Sequence, residues 1–266
     1  MKLSKRERHL VDLRKYTFVN NEIESYLLEY SNLPGKRGNI ELAFSFADYV
    51  EEKYSKDKGQ VFTYCLTLIS ENPHDTQVIG NEEFLPFCAI IALGRIGKID
   101  ATKEDEVIEF LKVSAKDGRW RIREAVAMAI QELMDVHPKA TIEKLHAWVN
   151  EDTYLVHRAL VAGVAEPRLM NNRDIARVSL EIHKIILGKI AREPAIRDKD
   201  YKVLVKGLCY TLSVIITGIE DEGFAYLEAL ITTEHPIIKK IVRENKKKNR
   251  LKRLNEDKVV ELLHKL

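Results

Sequence analysis

The stretch KDGRWRIREAVAMAIQEL, residues 116–133, decides the fold. In it Ile122, Ala125, Val126, Ala129, Ile130 and Leu133 advance by alternate steps of three and one. That spacing lays apolar groups along one face of an α-helix, with Arg121, Glu124 and Gln131 turned away. His137-Pro138 then ends one helix and opens the next, because the fixed φ of proline suits a first helical turn. The next helix is carried by Ile142, Leu145, Trp148 and Val149. After NEDT (150–153) the first stripe returns as Val156, Ala159, Leu160, Gly163 and Val164.

The two striped helices superpose with an offset of 34 residues, Trp120 on Tyr154, Ile122 on Val156, Ala125 on Ala159 and Ile130 on Val164. A shared pattern runs through them: an acidic or polar residue, an aliphatic one five on, a basic one six on. Asp117–Ile122–Arg123 is followed by Glu151–Val156–His157, Asp200–Val205–Lys206 and Thr233–Ile238–Lys239. Upstream, EEFLPFCAIIALGRIG (82–97) has the same small-residue stripe without the basic residue at that position. Such a period suits two helices and their turns, a unit that cannot bury its own stripe and so stacks on its neighbours.

An Asp closing the inter-helix turn, then Val/Ile-Arg on the second helix with alanines behind it, resembles the HEAT repeat. The resemblance covers about residues 80–250 and is strongest over 105–166; the Trp-Leu-Gly-Tyr pattern of tetratricopeptide repeats is missing. It implies an all-α fold, a right-handed α-solenoid of HEAT-like helical hairpins, with second helices lining a concave face. It also implies that Arg123 bonds the turn carboxylate within the chain, with His157, Lys206 and Lys239 at the same rung. The expected organisation is one continuous domain: residues 1–79 an amino-terminal helical cap or atypical repeat, 80–254 the repeats, 255–266 a carboxy-terminal capping helix. Within the first part, 39–53 and 60–70 read as helices, with Asn39 as a cap after the turn LPGKRGN (33–39). Gly35-Lys36-Arg37-Gly38 lacks the glycine spacing and the Ser/Thr of a phosphate loop, so it reads as a plain turn.

The net charge of +2 conceals an asymmetry. KKIVRENKKKNRLKR (239–253) holds nine Lys/Arg and one Glu, with Ile241 and Leu251 threaded through it as in a packed helix. The longest apolar run, LCYTLSVIITGI (208–219), is shorter than the roughly 18 to 20 residues of a membrane span. The start MKLSKRERHL lacks the apolar core of a leader. Three scattered cysteines, Cys65, Cys88 and Cys209, read as reduced buried thiols, and the eight histidines have no metal-ligand spacing. A cytoplasmic location, no membrane contact, no metal and no cofactor are the expectations.

These features lead to a non-catalytic binding scaffold with an anionic partner, nucleic acid (DNA foremost) or an acidic protein segment. The expected ligand-facing residues are Arg121, Arg123, Arg158, Lys202, Lys206, Lys239, Lys240, Arg243, Lys246 and Lys247, since cations at repeat spacing meet a phosphate chain without reading sequence. HEAT-like solenoids include the DNA alkylation repair glycosylases, in which, the resemblance implies, tryptophans stack near the lesion and an aspartate stabilises charge on the sugar. Asp117 with Trp120, or Asp152 with Tyr154, would fill those roles as the enzyme alternative. The chain departs from that pattern, with one Trp and one Tyr on the matching helices, and Trp120 reads instead as packing between repeats. A neutral protein–protein adaptor is the third reading.

Overall fold

The computed structural model describes residues 3–18, 21–71, 80–193 and 198–264. Among them the protein is all-α, with fifteen helices and no strand. Two compact units divide the chain, Met1–Val136 and His137–Leu266.

The first unit holds α1 (Lys5–Leu13), α2 (Glu22–Glu29), α3 (Ile40–Tyr54), α4 (Lys58–Ser70), α5 (Phe84–Ile99), α6 (Ala101–Ser114) and α7 (Trp120–Leu133). Asn39 caps α3 as its sequence position suggests, Oδ1 accepting from the Leu42 N–H at 3.2 Å, and Asp57 and Asp100 cap α4 and α6. The core sits where α5 packs on α3, α4 and α7. All six stripe residues of α7 are buried. Gly94 and Ala129 let α5 and α7 cross closely: a Cβ at Gly94 would lie 2.6 Å from the Ala129 Cα.

A line of ion pairs runs through this core. Arg6 of α1 grips Asp48 of α3 at 2.6 Å. Arg95 of α5, 8% exposed, reaches Asp48 at 2.9 Å and Glu51 at 2.6 Å on α3, and Glu132 of α7 at 2.6 Å. Lys98 extends the line to Asp135 at 2.9 Å. Charges withdrawn this far from water persist only when paired and hydrogen-bonded on several sides, as here.

The second unit holds α8 (Pro138–His146), α9 (Tyr154–Val164), α10 (Arg173–Arg192), α11 (Lys199–Ile215), α12 (Glu220–Ile231), α13 (Pro236–Lys246), α14 (Asn249–Leu254) and α15 (Glu256–His264). Pro138 takes the first turn of α8. Trp148 and Val149 do not extend that helix; they lie buried in a 3-10 turn, Ala147–Asn150. Helix α11 packs between α9 and α13. With the turn after it, Lys199–Gly218, it is long and apolar enough to cross a bilayer by length and composition, and it is mostly buried within the protein. The apolar stretch therefore begins upstream of the run at Leu208, where the i, i+3, i+4 positions Tyr201, Leu204, Val205 and Leu208 already face the core.

Two of the polar side chains enclosed in this unit tie its helices together. Asn245 of α13 accepts from the Ser213 N–H at 2.9 Å and donates to Leu208 O at 2.7 Å and Ile241 O at 2.9 Å. His183 of α10 donates from Nδ1 to Ser179 O and accepts at Nε2 from the Thr211 hydroxyl, both 2.8 Å. Burial drives the His183 pKa down to about 4, so the ring is neutral.

Candidate functional site

Helix α7 has a second face. Arg121, Glu124 and Met128, at i, i+3 and i+7, stand only partly exposed on the side away from the buried stripe. With Trp120 they form one wall of a hollow of about 210 Å³. The opposite walls are Phe84 and Phe87 of α5, whose rings stack at 5.8 Å, and Arg37, Gly38 and Ile40 from the turn and the start of α3. A cavity of about 150 Å³ takes a benzene ring, so this one accommodates a large side chain. The walls are aromatic and aliphatic, and charge gathers at the edge.

The turn is held against α7 by a contact across 86 residues: Arg121 donates to the Gly35 carbonyl at 2.8 Å. Arg121 also donates to Glu83 at the start of α5, and its guanidinium lies 4.7 Å from the Trp120 ring centroid. Its Nε–H is buried without an acceptor. Gly35 folds so tightly over Asn32 that a Cβ there would stand 2.4 Å from the Asn32 carbonyl oxygen, and Gly38 lies close against the Phe84 ring. Lys36 and Arg37 between these glycines are exposed and form no ion pair among the described residues.

Trp120 corrects the sequence reading. It is 50% exposed at the mouth of the hollow, not packed between helices. Two residues span about 200° of helix, which turns Trp120 away from the stripe that Ile122 begins. Two of the four rung residues, Arg123 and His157, join the chain to itself through main-chain carbonyls. Arg123 donates to the carbonyls of Asp117 and Gly118 at 2.6 and 2.8 Å. The buried Asp117 carboxylate accepts from the Arg119 backbone and guanidinium at 2.7 to 3.0 Å. Arg123, expected to face a ligand, is thus drawn into closing the α6–α7 turn. In the second unit His157 does the same, Nε2 donating to Val149 O at 3.2 Å.

The second unit distributes the remaining expected residues over different environments. Arg158 is 7% exposed on α9, its Cγ 3.6 Å from where a Cβ would stand on Gly207 of α11. Lys246 is also buried, because it falls on the Ile238, Ile241, Val242 and Asn245 stripe one residue further on. Burial and the nearby Arg243 and Lys247 lower its pKa. Neither side chain belongs to an exposed surface, as the sequence reading had placed them. Lys202 and Lys206 are exposed one turn apart on α11. Lys239 is partly exposed and pairs with Glu234 at 3.0 Å.

Lys240 and Arg243 share the exposed face of α13 with Lys247 at its C-cap, and Arg250, Lys252 and Arg253 follow on α14. Lys247 pairs with Glu244 at 2.6 Å. Lys240, Arg243, Arg250, Lys252 and Arg253 form no ion pair among the described residues. Asp152 is exposed beside Tyr154 at a recess of about 20 Å³, space for little more than a water.

The three cysteines are free thiols; Cys65 and Cys88 are buried and Cys209 is half-buried. Burial raises the Cys65 pKa to about 12 and the Cys88 pKa well above the usual thiol value. Among the described residues no group of His, Cys, Asp and Glu stands close enough to hold a metal ion. No protein-family model, no curated protein and no solved structure matches the chain.

Proposed function

We propose that this protein is a non-catalytic binding scaffold for an anionic partner, nucleic acid foremost, built from HEAT-like hairpins of a right-handed α-solenoid. The 34-residue return of the α7 stripe in α9 supports the repeat reading, as does the use of Arg123 and His157 to bond turn carbonyls. The observation that carries the partner is the row Lys240, Arg243 and Lys247 along the exposed face of α13 and its C-cap. Neighbours on such a face lie about 5–6 Å apart, a spacing that suits successive phosphates, and two of the three cations form no ion pair with a carboxylate among the described residues. Contacts of this kind position a duplex without reading its sequence. The enzyme alternative draws no comparable support, since Asp117 is buried and spends its carboxylate on Arg119.

The test is anisotropy of labelled random-sequence duplex DNA across a salt series. Binding should weaken steeply with salt, with a slope in log K falling by about 0.9 for each phosphate contact removed. The triple variant Lys240→Glu, Arg243→Glu, Lys247→Glu should abolish it. Absence of binding at low salt, or equal binding by the triple variant, sinks the reading.

A further inference from the structure

The hollow of the first unit makes a second site, and it rests on residues other than those of α13. We infer that it takes the bulky apolar side chain, Leu, Phe or Trp, of a protein segment that carries acidic residues beside that anchor.

Three observations fix the chemistry. The walls formed by Ile40, Phe84, Phe87, Trp120 and Met128 are apolar, and the volume of about 210 Å³ suits one large side chain. Trp120 and Ile40 are 50% and 41% exposed at its mouth, so covering them removes large apolar surfaces from water. Most polar groups at the edge are engaged: Arg121 bonds Glu83 and Gly35, with its buried Nε–H left without an acceptor, and Glu124 is held within the protein. An inserted nucleobase would find too few free partners for its several donors and acceptors there, at the cost of burying unsatisfied polar groups. An apolar side chain carries no such cost.

Charge supplies the second half of the assignment. Lys36 and Arg37 are exposed in the turn beside the hollow with no ion pair of their own among the described residues. Arg37 itself lines the hollow. A segment whose anchor enters the hollow therefore passes two unspent cations as it leaves, and carboxylates next to the anchor meet them. An apolar anchor in a pocket with a charged rim is how short segments gain affinity from a few residues. The turn is prepared in advance: Gly35 is pinned by Arg121 and Gly38 lies on Phe84, which limits the ordering that binding must pay for.

The site is tested with the full chain and an array of synthetic peptides. Each presents a Leu, Phe, Trp or Ser anchor flanked by glutamate, serine or lysine runs. Trp120 reports directly, since Trp148 is 2% exposed and shielded from quenchers. Glutamate-flanked apolar anchors should bind and protect Trp120 from acrylamide. Trp120→Ala should weaken them by about tenfold or more, and Lys36→Glu with Arg37→Glu by several-fold, as hot-spot and rim positions do. Both variants change exposed side chains, and circular dichroism checks their fold. The inference is overturned if no anchored peptide binds, if serine anchors or lysine flanks bind equally well, or if Trp120→Ala binds unchanged. Protection of Trp120 by single-stranded oligothymidine in place of the peptides also overturns it. Loss of DNA binding in the α13 variant leaves these outcomes untouched, so the two proposals fail separately.

Discussion

Arg121 donates a hydrogen bond to the carbonyl of Gly35, 86 residues earlier in the chain, and so fastens a surface turn to α7. The same guanidinium bonds Glu83 and lies over Trp120. One side chain thus shapes three sides of the hollow. Arg121→Met keeps the aliphatic stem and removes these bonds. It should cost about 1–3 kcal/mol, the range for stranding partly buried polar partners. Trypsin should cut after Lys36 or Arg37 faster in the variant than in the wild type. An unchanged cleavage rate would show that the turn holds itself.

Glycine at two helical positions should respond to alanine with opposite signs. Helix propensity alone favours Ala over Gly by about 1 kcal/mol. At Gly94 the added Cβ would sit 2.6 Å from the Ala129 Cα and 2.7 Å from its carbonyl oxygen, backbone atoms that cannot swing away. Gly94→Ala should therefore destabilise by about 1–3 kcal/mol, as overpacking does. Gly188 of α10 meets nothing closer than the Arg192 guanidinium at 3.6 Å, and Gly188→Ala should stabilise. Urea unfolding of both variants measures the contrast.

His183 makes stability depend on acid. Its folded pKa of about 4 lies below the ordinary 6.5, so below pH 6.5 the unfolded chain takes up the proton more readily. The stability it contributes is full above pH 6.5 and is lost as pH falls through 4. At about 1.4 kcal/mol per pKa unit the loss approaches about 3 kcal/mol. Its ring partners, Ser179 O and the Thr211 hydroxyl, carry no charge that would offset the effect. His183→Gln should flatten the slope of unfolding free energy against pH between 6.5 and 4; an equally steep slope would assign the acid sensitivity elsewhere.

Asn245→Ala should be among the most damaging single substitutions in the second unit. It removes the amide that bonds the Ser213 N–H and the Leu208 carbonyl, both enclosed where α11 meets α13. Each bond lost costs about 0.5–1.5 kcal/mol, and the thermal midpoint should fall accordingly. A midpoint within a degree or two of wild type would mean that water replaces the amide.

The helices and their buried faces were legible in the sequence because periodicity is local. The stripe from Ile122 to Leu133, the cap at Asn39 and the break at Pro138 depend on a few neighbouring residues, and each stands where its spacing puts it. Lys246 was legible too, had the stripe of α13 been carried one residue past Asn245. The hollow was not. LPGKRGN and GRWRIRE each read as ordinary local structure, and only the long-range contact of Arg121 with Gly35 makes them one surface. The Arg95 pairs escaped for the same reason, since their partners lie 37 to 47 residues away. Spacing within one helix does not record which neighbour it meets.

The line of charges from Arg6 through Asp48 and Arg95 to Glu132 has a consequence for how this unit can change over evolution or in design. Repeat proteins are usually lengthened or trimmed by whole units, because each layer joins the next through interchangeable apolar faces. Here every one of four helices holds a charge answered only by its neighbours. Excising α5 would remove both cations that answer Glu132, Arg95 and Lys98, and strand its buried charge. Helix α5 is therefore the layer of this unit that cannot be dropped or exchanged without a matching change at Glu132.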